Sequence, residues 1–175
     1  MRVGVADHLG WAVVVTVDGH RVIDRRRVEL LDDGLPIAPV EHEVQALAAD
    51  AALALLTEVR ASIARVASAA LDDLAATLTA PITSISLRAW PDDFPEDLAT
   101  LRRPPYNARA DAVMYRQEIA EIAHRRGWEV HLYDAKAVLA AVTDDILSAP
   151  RQLLGPPWTK DHRTALAAAI TSGEA

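Results

Sequence analysis

Between Val3 and Leu30 the chain carries three runs rich in apolar and β-branched residues, separated by only a few residues each. So little spacing leaves no room for a helix between them, and three strands joined by such short turns can form an antiparallel meander. Val3-Gly4-Val5-Ala6 is the first strand and Trp11-Ala12-Val13-Val14-Val15-Thr16-Val17 the second, with His8-Leu9-Gly10 as the break. Asp18-Gly19 closes a tight hairpin, because both residues tolerate the positive φ such a turn needs. His20 to Leu30 reads as the third strand, with Val22, Asp24 and Arg26 on one face and Arg21, Ile23, Arg25 and Arg27 on the other. Its Arg25-Arg26-Arg27 run suits a sheet edge, where charge discourages pairing with other chains.

After the loop marked by Asp32-Asp33-Gly34-Leu35-Pro36 and Pro39 the period changes. Val44, Leu47, Ala51, Leu55, Val59, Ile63, Val66, Ala70, Leu74 and Leu78 recur at three- or four-residue steps, the pattern of an amphipathic helix over about 41–79. Unbroken, it would run ~55 Å at 1.5 Å per residue. That length requires either a break near Ala61–Ala70 or an end that projects onto a partner, such as a second copy of the chain. Pro81 ends the region, and Ile82 to Leu87 reads as a fourth strand. A helix from Ala108 to Arg126 follows, stopped by Gly127. Trp128 to Tyr133 is a fifth strand, Ala135 to Ala141 a short helix, and Asp161 to Thr171 the last helix. A strand, helix, strand unit implies a parallel pair with a right-handed crossover. The expected fold is therefore α/β: one domain over 1–175, with a five-stranded mixed sheet and helices on both faces.

Composition removes several function classes. There is no cysteine, which excludes disulfides, thiolate metal sites and a cysteine nucleophile. A formal charge of −7 argues against a general nucleic-acid coat, since phosphate binding needs cationic surface. The charge is uneven: residues 1–100 hold 8 basic against 16 acidic side chains, residues 101–175 hold 10 against 9. Any basic surface must come from the C-terminal part. The N-terminus lacks the pattern of a secretory leader, and no stretch of ~18 apolar residues spans a membrane, so the expected location is the cytoplasm. Phosphate-loop, dinucleotide, zinc and nucleophile-elbow signatures are absent.

Two motifs carry more. Val5-Ala6-Asp7 is followed by Gly10-Trp11-Ala12-Val13-Val14, and the C-terminal helix opens Lys160-Asp161-His162-Arg163 before the small, apolar Thr164 to Ile170. With the element order, these resemble the ribonuclease H-like superfamily, and within it the RuvC-like branch of Holliday-junction resolvases. In that family strand one ends in a metal-binding aspartate, and a second aspartate starts the C-terminal helix. The resemblance implies two-metal phosphodiester hydrolysis, in which two divalent ions ~4 Å apart activate water and stabilise the leaving oxygen. Mg²⁺ or Mn²⁺ would require three or four converging oxygen ligands. By resemblance, Asp7 and Asp161 would bind metal and form the catalytic pair, with Lys160, His162 and Arg163 against the substrate. Family members also carry an acid near the end of strand four, where this chain has Arg88, and a helix-borne acid for which only Glu58 and Glu118 offer themselves.

The remaining candidates each have a bland alternative. Asp134, after strand five, is a further metal candidate or the cap of the next helix. Arg109 and Arg116 can hold phosphate oxygens bidentately. In the same segment Asn107 reads as a helix cap, and Asp111 as paired to nearby arginines. Asp7 itself is either a ligand or a partner of the His8–Gly10 turn amides, and Trp158 either stacks on a base or anchors packing. Three functions follow from this set. They are a divalent-metal-dependent nuclease, a catalytically silent relative that binds nucleic acid or protein, and a homodimer formed through the long helix.

Overall fold

The computed structural model describes residues 1–172. β1 (Arg2–Asp7), β2 (Trp11–Asp18) and β3 (Arg21–Glu29) form the expected meander. β4 (Ser84–Arg88) lies parallel to β1, and β5 (Glu129–Tyr133) parallel to β4. The sheet order is β3-β2-β1-β4-β5, which places β1 at the centre.

Alternation along the strands divides the core in two. Val3, Val5, Val14, Ile85 and Leu87 face α1 (Ala49–Thr77) and α3 (Asn107–Arg125). Ala6, Val13, Val15 and Val17 face α6 (Lys160–Thr171) on the other side, beside α4 (Ala135–Ala141). Two elements were not expected from sequence, the single turn α2 (Leu98–Leu101) and α5 (Asp144–Leu154). α5 leads into the Gly155–Trp158 loop, which Arg25 ties down by donating to the carbonyls of Leu154, Gly155, Pro156 and Pro157. Arg25 therefore organises a loop as well as protecting an edge.

The long helix is a single rod: α1 runs unbroken for 29 residues, about 43 Å at the standard rise. No break occurs near Ala61–Ala70, because Val59, Ile63, Ala67, Leu71 and Leu74 form one continuous buried stripe. The helix starts later than the period suggests. Asp111 of α3 accepts the backbone N–H of Val40 at 2.9 Å and of Glu41 at 3.0 Å, which pins that segment as a connection. Glu43–Ala46 then makes only a 3₁₀ turn. Asp111 thus clamps a loop and is not paired to arginines. Burial of its carboxyl raises its pKa above the ordinary value despite those two bonds. Asn107 is the first helical residue of α3, after a cap position held by Tyr106.

β3 departs from simple alternation. The register slips between Thr16 and Val17, so Ile23 is the extra residue of a bulge. Asp24, Arg26 and Val28 face α1, where Arg26 bonds Asp24 and Thr77. Val22 instead packs with the α6-side core. The expected grouping of Val22 with Asp24 and Arg26 is corrected by that one extra residue. Among the described residues, no helix is long and apolar enough to cross a membrane.

Candidate functional site

Asp7 ends β1, and the period of two puts it on the same face as Val3 and Val5, towards α3. Its side chain is only 3% exposed. An isolated carboxylate so buried is costly, and α3 supplies the compensation: Arg116 Nε donates to Asp7 Oδ2 at 2.8 Å. Asp7 therefore bonds neither the turn amides nor a second acid. Its other oxygen, Oδ1, is buried with no partner among the described residues.

Beside this pair stand two residues from neighbouring strands. Tyr133, at the end of β5, donates its hydroxyl to the Val5 carbonyl at 2.6 Å. Its register partner at the end of β4 is Arg88. The Tyr133 phenol is pushed up to about 12, first by burial and then by the charge of Asp7, while the positive charges of Arg88 and Arg116 oppose the rise. Asp7, Arg88 and Tyr133 thus all stand at the carboxyl ends of neighbouring parallel strands. The signal for Arg88 in the sequence was a lone charge ending an apolar strand.

Asp161, in the first turn of α6, reaches the same end of the sheet but has a different partner. His8 Nε2 lies 3.1 Å from Asp161 Oδ2, and the His8 ring stacks on Trp11 with centroids 4.1 Å apart. Arg27 covers the Trp11 ring at 4.0 Å. Asp7 and Asp161 are therefore each engaged by a different partner.

The other candidates divide. His162 is buried and structural: with Thr159 it forms a reciprocal capping box for α6, in which Nδ1 accepts the Thr159 N–H at 3.2 Å. Arg163 is bound to Asp144 of α5. Asp134 caps α4, accepting the N–H groups of Lys136 at 2.9 Å and Ala137 at 2.8 Å. Each of His162, Arg163 and Asp134 thus has a partner within the fold, and a substrate or metal role for them stays a proposal. Trp158 is a packing anchor whose indole donates to the Leu147 carbonyl at 2.8 Å. Glu118 pairs with Arg60 across α1 and α3, and Glu58 is exposed. Lys160 and Arg109 are exposed cations, and Arg116 is the partner of Asp7.

Burial holds the His162 imidazole below its ordinary pKa; Arg25 adds to this and Asp161 opposes it. The unfolded chain, with an ordinary imidazole near 6.5, takes up a proton that the folded chain resists. Stability is therefore full above that pH and falls as pH drops through it. His162→Gln keeps a capping-box residue and removes the titration. Urea midpoints measured from pH 7.5 to 5 are expected to fall less steeply in this variant than in the parent chain, and parallel curves would refute the assignment.

The metal expected from the resemblance does not fit these residues. Among the described residues no group of three or more His, Cys, Asp or Glu side chains could hold an ion. The orphaned Asp7 Oδ1 is one open acceptor, but the carboxylate already carries the Arg116 guanidinium on its other oxygen.

A mixed sheet of order β3-β2-β1-β4-β5, with three antiparallel strands followed by a parallel pair and helices on both faces, is a ribonuclease H-like fold. Its similarity to solved structures is to RuvC. The Thermus thermophilus RuvC structure superimposes with a TM-score of 0.51 and 16% identity, over 98% of this chain and 92% of that one. T. thermophilus RuvC in complex with Holliday junction substrate gives the same score and identity, over 98% and 91%. No protein-family model and no curated protein matches the sequence. The fold is thus RuvC-like over nearly the whole chain.

Proposed function

We propose that this chain uses a RuvC-like fold to bind nucleic acid without metal-dependent cleavage. The observation that carries the reading is the Arg116 guanidinium on Asp7, with Arg88 at the end of β4. Two-ion hydrolysis requires converging carboxylates at that edge, and guanidiniums repel the ions it uses. Nucleic acid is the favoured partner because one of the RuvC structures of the same fold carries a Holliday junction. The exposed cations Arg109 and Lys160 lie in the C-terminal, more basic part of the chain. Against a net charge of −7, binding is confined to a local surface and is strongly salt-dependent.

The test is one substrate panel of labelled four-way junction, duplex, single strand and RNA–DNA hybrid. Expected is salt-sensitive binding in EDTA, with no cutting in Mg²⁺ or Mn²⁺. Metal-dependent cutting that disappears in Asp7→Asn would overturn this reading and establish the nuclease. Absence of binding to every substrate would overturn it in favour of a protein-binding role. The homodimer is a companion proposal, supported by Leu53 on α1, 52% exposed on the helix's N-terminal half. Sedimentation equilibrium of the same preparation checks it, and a monomer at all concentrations removes it.

A further inference from the structure

We infer that the cavity between α1 and α3 is a binding site for a small aromatic amine, one ring carrying a cationic group on a short stem. Neither Asp7 nor Arg116 lines it, so the inference goes beyond the nucleic-acid reading. The cavity holds about 160 Å³. α1 turns Leu53, Leu56 and Thr57 towards it, and α3 turns Ala110, Val113 and Met114, one helix face from each at the i, i+3, i+4 spacing. The connections close the remaining sides. Val40, Leu101 and Ala110 form a small buried cluster separate from the two sheet cores, with Leu56 and Phe94 packed against it. These walls are held in place by the fold itself. Asp111 fixes the Val40 end through two backbone amides, and the Phe94 ring meets the Tyr106 ring edge-on at 5.8 Å. A preformed apolar space with a few polar groups at its mouth is the usual form of a small-molecule site.

Size and lining set the apolar half of the ligand. An apolar cavity of about 150 Å³ holds one benzene ring. The Phe94 ring and the Met114 thioether both make favourable contacts with an aromatic face or edge. Charge at the mouth sets the other half. Arg60 spends Nη1 on Glu118 Oε1 at 2.7 Å and Nη2 on Gln117 Oε1 at 3.3 Å, so its charge is balanced. Glu96 lines the cavity with no partner among the described residues, which leaves one uncompensated negative charge there. Asp92 and Asp93, on the same connection as Phe94, are exposed and strengthen that field. A ring bearing a cation is therefore favoured over its neutral or anionic counterpart.

The test uses the full chain with its methionine methyl groups isotope-labelled for NMR. The sequence has two methionines: Met114 lines the cavity, and Met1, ahead of β1, does not. Phenethylamine, phenylethanol and phenylpropionate, which share the ring and stem and differ in charge, are titrated at pH 7.5. Expected is a saturable shift of the Met114 signal with phenethylamine at millimolar concentration, while Met1 stays in place. The alcohol should bind about fivefold more weakly, the worth of one exposed charge pair, and the acid more weakly still. Glu96→Gln should lower the affinity for the amine by that same factor and leave the affinity for the alcohol unchanged. Val113→Phe, which fills the space, should abolish the shift with every probe; Ala110→Val serves if that variant fails to fold. No saturable Met114 shift with any probe overturns the site. Equal affinities for the three probes, or an amine affinity that Glu96→Gln leaves unchanged, overturn the ligand class. Tightest binding by phenylpropionate overturns it too, and gives the selecting role to Arg60.

Discussion

Gly4→Ala is expected to unfold the protein or cost on the order of 3 kcal/mol. A Cβ on Gly4 would lie 1.9 Å from the backbone oxygen of Ala165 and 2.8 Å from its carbonyl carbon. Those atoms belong to the α6 backbone, so no rotamer change can clear them, and Ala165→Gly would give no rescue. The whole helix would have to lift. α6 makes this approach possible with its own small residues: Ala165, Ala167, Ala168 and Ala169 are all buried. Lifting it would open the layer between β1 and α6 and detach Leu166 and Ile170 from the sheet. Thermal melting by circular dichroism checks the prediction; a midpoint within a few degrees of the parent would show that α6 sits further from β1 than described.

The second large effect is at Arg116. Arg116→Met should destabilise by about 3–5 kcal/mol, because it leaves Asp7 charged, buried and unpaired. For a chain of this size that is a fall of roughly 6–20 °C in the melting midpoint. Replacing both partners, as Asp7→Leu with Arg116→Met, should recover most of the loss, since the desolvation cost of the pair disappears with it. The double variant separates a structural ion pair from a half-built metal site. If Asp7 were a metal ligand, millimolar Mg²⁺ or Mn²⁺ would restore the midpoint of Arg116→Met by binding the freed carboxylate. The expected result is rescue by the second substitution and none by the ions. Rescue by ions would return the edge of β1 to metal chemistry.

These outcomes also separate what was legible in the residues from what was not. The meander, the helix period after Glu41, the parallel unit and the small-residue C-terminal helix could all be read from spacing, because a strand or helix repeats over a few residues. Asp7 and Asp161 were found at the same end of the sheet for the same reason, one ending a strand and the other starting a helix. Their partners were not legible. Asp7 meets Arg116 across 109 positions, and Arg25 meets Gly155 across 130. No local period encodes either contact. The bulge at Ile23 turned Val22 to the opposite core, and Asp111 stopped α1 short by taking two loop amides. Each is one residue acting through a contact that exists only after the chain has closed.

By itself the sequence determined the order of the five strands and of the four helices α1, α3, α4 and α6, and the RuvC-like topology. It also determined that an arginine ends strand four. Only the tertiary structure decided that the strand-one aspartate is held by a guanidinium, that His162 and Asp134 cap helices, and that Arg163 pairs with Asp144. The physical reason is that burial alternation and helix period are set by local backbone geometry. The charge state and function of a buried carboxylate are set by whichever group is folded against it.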